Sequence, residues 1–253
     1  MKPTYKVTAL RMGSFRLAKS FYGSDDSVEI EQPIWSALIQ GENHYILVDT
    51  GLHDEVWLNQ NALPTKIEPE EHMEEALHFA AGIKPDDVDI VILTHLHYDH
   101  IGNNRLFRNA QFYLSEAEWE FAMNPLPCQA FLYNRTRHLF DASSVNIAAW
   151  HFIKDDVSLM PGIRLIMTPG HTDGHMSVLV DTEEGCLCIA GDAVNFMEIL
   201  SENRVNSLHT SVRDCYESAE KIRRMSDRVF PGHEETRIHN FQSSGFPKIP
   251  DKQ

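Results

Sequence analysis

The sequence predicts an α/β architecture of sheets covered by helices, on three observations. Short apolar, β-branched runs alternate along the 253 residues with segments of helical spacing. Hydrophobic residues make up 42% and charged ones 23%, and a chain of this length buries roughly 70–75% of its extended surface, enough for a large core. No glycine-rich turn of the nucleotide-binding kind joins a strand to a helix. The same composition excludes a disordered, collagen-like or small disulfide-stapled protein. No repeat, low-complexity tract or long Gly/Ser linker interrupts the chain, so one domain over residues 1–253 is expected.

Residues 34–40 (IWSALIQ) and 44–49 (HYILVD) read as strands joined by Gly41-Glu42-Asn43, a hairpin signal. Residues 69–82 read as a helix, with Pro69 and acids early, Met73, Ala76, Leu77 and Ala80 at helical spacing, and Gly82 where it stops. Lys84-Pro85-Asp86 makes a turn. Residues 89–94 (DIVILT) form a short strand, continuously apolar and hence buried. Ser115 and Glu118 form a capping-box pattern that opens a helix over 115–122. With the aromatic, proline-containing stretch 124–150, it makes a helical insert or lid near 115–150. Strands over 163–168, 176–181 and 186–190, a helix over about 211–225 and a strand over 228–230 follow. The tail 240–253 is polar with two prolines and is either frayed or docked.

Charge narrows the partners. Lys and Arg number 22 against 37 Asp and Glu, a net charge of −15 that argues against nucleic acid and anionic membranes. No apolar run approaches the roughly 18 residues of a membrane span. The N-terminal MKPTYKVTALRMGSF lacks the continuous apolar region of an export signal, so a cytoplasmic protein is expected. Cys128, Cys186, Cys188 and Cys215 include no Cys-x-x-Cys pair, and Cys186 and Cys188 point to one face of a strand. Reduced core thiols are the expectation.

The strongest chemical signal is Thr94-His95-Leu96-His97-Tyr98-Asp99-His100, directly after an apolar strand. A chance His-x-His-x-Asp-His is expected on the order of 0.003 times in such a composition. Residues two apart on a strand share a face, so His95 and His97 are placed to grip one cation, and Asp99 and His100 at the following turn to reach a second. Four ionisable groups packed after a core strand would otherwise repel or stay unsatisfied. Three further segments place a ligand type beside glycine at a strand end: Pro169-Gly170-His171-Thr172-Asp173-Gly174-His175, Gly191-Asp192 and Pro231-Gly232-His233. Each alone is a common turn, but four such edges in one chain are not.

In order, and over nearly the whole chain, this series resembles the metallo-β-lactamase superfamily, whose early motif Asp49-Thr50-Gly51 also matches. The resemblance implies an αββα sandwich, two mixed β-sheets flanked by helices, with the site at one sheet edge. It implies one metal held by His95, His97 and His171, a second held by Asp99, His100 and His233, and Asp192 bridging the two. Asp49 and His175 would orient ligands or their loop. Imidazole and carboxylate without thiolate suit two divalent ions, zinc foremost, with manganese, iron or cobalt compatible. Such a pair lowers the pKa of a shared water to about 7, which implies a hydrolase of an ester, lactone, thioester, amide or phosphoester.

Within the superfamily, His97 stands where the oxygen-reducing diiron members carry an acidic ligand, and no flavin domain accompanies it. The likeness is greatest to the N-acyl-homoserine lactonase branch, on Gly13-Ser14, Pro33, Lys84-Pro85-Asp86-Asp87-Val88-Asp89 and Pro169-Gly170-His171-Thr172. The resemblance therefore implies a lactonase opening an N-acyl-homoserine or related lactone, with a small-molecule substrate and a homodimeric state. A glyoxalase II-like or β-lactamase-like hydrolase is the alternative. One feature departs from the branch: the tyrosine shortly after the bridging aspartate is missing from Asp192-Ala193-Val194-Asn195-Phe196. Asn195 is either a hydrogen-bond donor in its place or a turn residue. With Asp99 and Asp192, which is also placed to shuttle a proton, it completes the catalytic candidates. The aromatics Phe15, Phe21, Tyr22, Trp119, Phe121, Phe131, Tyr133, Phe140 and Trp150 either line an acyl pocket or fill core and dimer contacts. Tyr98 faces away from His97 and Asp99 by alternation and is expected to be structural.

Overall fold

Three consecutive apolar residues, Ile90, Val91 and Ile92, lie in one strand and face two different cores. That alternation is the key to the layering of this computed structural model, which describes residues 3–18, 20, 28–133, 149–235 and 245–250. The first sheet contains β1 (Lys6–Ala18), β2 (Glu29–Gly41), β3 (His44–Val48), β4 (Thr65–Lys66), β5 (Ile90–Ile92), β6 (Gln111–Ser115) and β7 (Trp150–Ile153) in the order β4-β1-β2-β3-β5-β6-β7. The second contains β8 (Val157–Met160), β9 (Ile163–Met167), β10 (Met176–Thr182), β11 (Gly185–Gly191) and β12 (Arg228–Pro231) in the order β12-β11-β10-β9-β8. Both sheets are mixed. In the first, β1–β2–β3 pair antiparallel and β3–β5–β6–β7 parallel. In the second only β11 and β12 are parallel.

Three apolar layers follow. Between the sheets, Ile39, Ile46, Ile90 and Ile92 meet Leu165, Val178, Leu187 and Ile189. The outer face of the first sheet is covered by α1 (Glu55–Asn61), α2 (Met73–Ala81) and α3 (Glu116–Met123), through Leu58, Leu77 and Phe121. The outer face of the second is covered by α4 (Glu198–Ser201) and α5 (Val212–Met225), through Ile199, Leu200, Ala219 and Ile222. This is the αββα sandwich that the motif resemblance implies. Cys186 and Cys188 do share the outer face of β11, and both are free thiols.

Several elements differ from the sequence reading. The helix over 69–82 is a 3₁₀ turn at Pro69–Glu71 and then α2, because His72 between them is extended at φ −67°, ψ 139°. Gly82, at φ 69°, ends α2 as expected. The strand over 89–94 stops at Ile92, so His95 and His97 lie in a loop rather than on a strand. The insert is partly described: α3, a 3₁₀ turn at Ala130–Tyr133, and then Trp150 in β7, which makes it the crossover between parallel strands β6 and β7. Residues 134–148, including Phe140, and Phe21 and Tyr22 lie outside the described residues. The described part of the tail docks on β12: Val229 N donates to Pro247 O at 3.0 Å, and Phe246 is 1% exposed against Phe230. No helix among the described residues is long and apolar enough to cross a membrane.

Candidate metal centre

Five strands end at the same place. The turns after β3, β5, β9, β11 and β12 deliver Asp49, His95–His100, His171–His175, Asp192 and His233. The loop after β5 leaves its sheet because Thr94 N donates to Asp49 Oδ1 at 2.7 Å instead of continuing a ladder. Gly102 lets the end of this loop close on the turn after β3, since a Cβ there would stand 2.5 Å from Gly51 O.

The side chains converge as the motifs suggest, and every candidate ligand is buried. Three groups place their donor atoms within 4.8 Å of one another: His95 with His97 and His171, His95 with His100 and Asp192, and Asp99 with His100 and His233. His97 Nδ1 lies 3.0 Å from His95 Nε2 and 3.1 Å from His171 Nε2. Asp192 Oδ1 faces His100 Nε2 at 3.3 Å and His233 Nε2 at 3.2 Å, while Oδ2 faces His171 Nε2 and His233 Nε2, each at 3.3 Å. Asp99 Oδ2 stands 3.6 Å from His100 Nε2 and 3.8 Å from His233 Nε2.

The far ring nitrogens fix which lone pairs face inward. His100 Nδ1 donates to Asp49 Oδ2 at 2.7 Å, His171 Nδ1 to Leu208 O at 2.9 Å and His233 Nδ1 to Pro33 O at 3.0 Å. Thr94 Oγ1 donates to Asp49 at 2.8 Å and accepts from His95 Nδ1 at 3.0 Å. In its neutral form each of these four rings therefore turns an unprotonated Nε2 to the centre. His97 turns Nδ1 to the same point, so three ring nitrogens converge, the other two within 3.0–3.1 Å of His97 Nδ1. Two nitrogens on one tetrahedral zinc, each at about 2.0–2.1 Å, stand roughly 3.3 Å apart, close to the spacing seen here. His100 Nε2 and Asp192 Oδ1 are buried, and among the described residues neither has a hydrogen-bond partner. The donor set fits divalent cations.

Electrostatics divides the centre. Burial, reinforced by neighbouring imidazoles, holds His95 and His97 well below the usual histidine pKa, and burial lowers His171. Burial also opposes charge on His100 and His233, but the carboxylates of Asp99 and Asp192 outweigh it and raise both. Asp192 is held low against its own burial by His233, His100 and His171.

Asp49 and His175 both contact candidate ligands, His100 and Asp192. His175 Nε2 accepts from Asp192 N at 3.1 Å. Asn195 is fully buried; its carbonyl accepts from His233 N at 3.0 Å, and among the described residues neither atom of its side-chain amide has a partner. Tyr98 packs edge-on to Phe15 in the helix-covered core, a structural role. Phe15, Phe121, Tyr133 and Trp150 also lie in that core with Trp119 against it, whereas Phe131 is 48% exposed.

Three contributors were missed from the sequence. Glu118 turns its carboxylate away from the expected reciprocal cap and into the centre, accepting from Leu96 N, Tyr133 and Thr172. Its signal was a charged residue in register with buried Phe121 and Ala122 on α3. Tyr133 sets its ring 4.8 Å from that of His97, but its hydroxyl is committed to Glu118 and does not replace the absent tyrosine. Asn206 Nδ2 donates to Asp192 O at 2.8 Å, a long-range contact with no sequence signature.

A sandwich of two mixed sheets with clustered His and Asp donors at one end defines a metal-centre protein. The pattern of the metallo-beta-lactamase superfamily matches residues 30–233, and the chain belongs to that superfamily. An N-acyl homoserine lactonase of Bacillus cereus is 32% identical over 62% of this chain and 62% of its own length, so this match spans under two thirds of that relative. An N-acyl homoserine lactonase of a Bacillus species is 29% identical over 79% of this chain and 78% of its own. The solved structure of a quorum-quenching N-acyl homoserine lactone hydrolase superposes with a TM-score of 0.78 at 25% identity, covering 94% of this chain and 96% of that one.

Proposed function

We propose that this protein is a dinuclear metal hydrolase that opens the ring of N-acyl-homoserine lactones. The carrying observation is the position of Asp192, whose two oxygens divide between His171 on one side and His100 on the other. In this reading His95, His97 and His171 would hold one ion, Asp99, His100 and His233 would hold the other, and Asp192 would serve both. Zinc is the ion that this imidazole and carboxylate set suits best. Two such ions, when bound, would supply hydroxide at neutral pH and polarise the lactone carbonyl.

The remaining work falls to the chain. Asp49 and the carbonyls of Leu208 and Pro33 hold the imidazole rings in the tautomer that offers Nε2. Once the attacking oxygen has added to the carbonyl, Asp192 would take the proton that oxygen carries and hand it to the ring oxygen as the ester bond breaks. Asp99 steadies the side from which that oxygen leaves. Asn195, whose backbone carbonyl holds His233 N and whose buried side-chain amide has no partner among the described residues, would donate to the oxygen that gains charge. The relatives named as homoserine lactonases support the substrate class, and a cytoplasmic homodimer completes the reading.

Comparing kcat/KM across homoserine lactones, glutathione-type thioesters and β-lactams tests it. The homoserine lactones are expected to rank first. A thioester or β-lactam in that place would reassign the substrate to the glyoxalase-like or lactamase-like alternative.

A further inference from the structure

We propose that Glu118 is a positioning residue that sets the cation affinity of the His95/His97/His171 half of the centre and leaves the other half untouched. The proposal rests on the functional reading above only in taking the centre to bind metal.

Glu118 is 0% exposed. Its Oε1 accepts from Leu96 N at 2.9 Å and from the Tyr133 hydroxyl at 2.9 Å, and its Oε2 accepts from the Thr172 hydroxyl. Leu96 is the residue between His95 and His97, and Thr172 follows His171. Tyr133 packs its ring against His97. One carboxylate therefore grips a neighbour of every donor in this group. Among the described residues its hydrogen bonds reach no residue that adjoins Asp99, His100 or His233. Those are served by different anchors, Asp49 for His100 and Pro33 O for His233.

The approach is built into the backbone. A Cβ on Gly174 would stand 1.9 Å from Glu118 N, so the His171 loop lies directly on the first turn of α3. Helix capping does not account for a carboxylate here, because Ser115 Oγ already accepts from Glu118 N. Among the described residues Glu118 forms no ion pair with Lys or Arg, and a buried anion without one is costly. Burial raises the Glu118 pKa, and the donors Thr172, Leu96, Tyr133 and Gly174 oppose that rise. A carboxylate bonded in this way to both loops of a three-imidazole site, which brings no charge of its own, is matched to a cation in that site.

The test is a cobalt(II) titration of metal-free protein, followed by calorimetry and visible absorption against a competing chelator. Wild type is expected to show two binding steps. Glu118→Gln should weaken one of them about 10–100-fold, the range typical for residues that orient metal ligands. In a His233→Ala background, which keeps the three-imidazole group, Glu118→Gln should weaken the remaining step; in a His171→Ala background it should not. Equal weakening in both backgrounds, or no change in either, overturns the proposal. Should Glu118→Gln fail to fold by circular dichroism, Thr172→Val removes one donor only. It should weaken the same step several-fold, and an unchanged step would also overturn the proposal. Wild type that binds two ions but opens no lactone leaves this inference standing and removes the substrate reading, whereas wild type that binds no cobalt removes both.

Discussion

The Asp49 carboxylate meets His100 Nδ1 at 2.7 Å, with both residues almost wholly out of water. It also accepts from the backbone and hydroxyl of Thr94, at 2.7 and 2.8 Å, and Thr94 in turn receives His95 Nδ1. One side chain thus orients a ring in each half of the centre, and Asp49 takes a left-handed backbone, φ 58°, to reach that position.

Asp49→Ala should leave Thr94 N and His100 Nδ1 without their acceptor. The expected cost is about 1–3 kcal/mol of stability for the buried unsatisfied donors, with a 10–100-fold loss of metal affinity. Urea unfolding and chelator competition measure the two effects separately. Wild-type affinity in the variant would show that His100 is oriented by something else.

Gly191 precedes Asp192 at φ 52°, ψ −144°, and a Cβ there would stand 2.8 Å from His175 Nε2 and 3.0 Å from Thr94 Cβ. Gly191→Ala should cost about 1–3 kcal/mol in backbone strain alone and displace Asp192 from its shared position. Reduced bound metal in a folded variant is the expected result by elemental analysis. A full complement of metal with unchanged unfolding midpoint would contradict it.

His175 gives the centre a pH dependence. Burial, with a smaller contribution from the charge of His171, holds its pKa down to about 3. Its folded form stays neutral while the unfolded form titrates near 6.5. Its contribution to stability is therefore complete above pH 6.5 and is lost as pH falls toward 3, at about 1.4 kcal/mol per pH unit within that window. In metal-free protein, His175→Gln should flatten the fall of unfolding free energy with acid by close to one proton. Parallel curves for the two proteins would reject this assignment.

Phe246 tests the tail. It lies 5.0 Å from Phe230, ring to ring, and is buried against the second sheet. Phe246→Ala should cost about 3–5 kcal/mol in thermal or urea unfolding. A loss below about 0.5 kcal/mol, the usual range for a surface change, would mean that the tail does not dock in solution.

How much of this was legible beforehand depended on whether neighbouring residues carried the information. The β10 and β11 strands and α5 were visible because alternation and helical spacing are local, and the ligands were visible because each follows a strand end. β1 was not placed, although it is 13 residues long, because Lys6, Arg11 and Arg16 break its apolar pattern and a bulge between Arg11 and Ser14 resets its register. β7 and β8, four residues each, are too short to show a period. Glu118 was read as a helix cap because the capping pattern is local, whereas its true partners, Leu96 and Thr172, lie 22 and 54 residues away. Placing His95 and His97 on a strand reached the right convergence by the wrong local geometry.

Metal content and lactone turnover, measured on the same preparation before and after chelation, test the central claim most directly. The account predicts about two divalent ions per chain, loss of homoserine-lactone opening on their removal, and recovery when zinc is returned. Undiminished turnover in protein stripped of metal would contradict it.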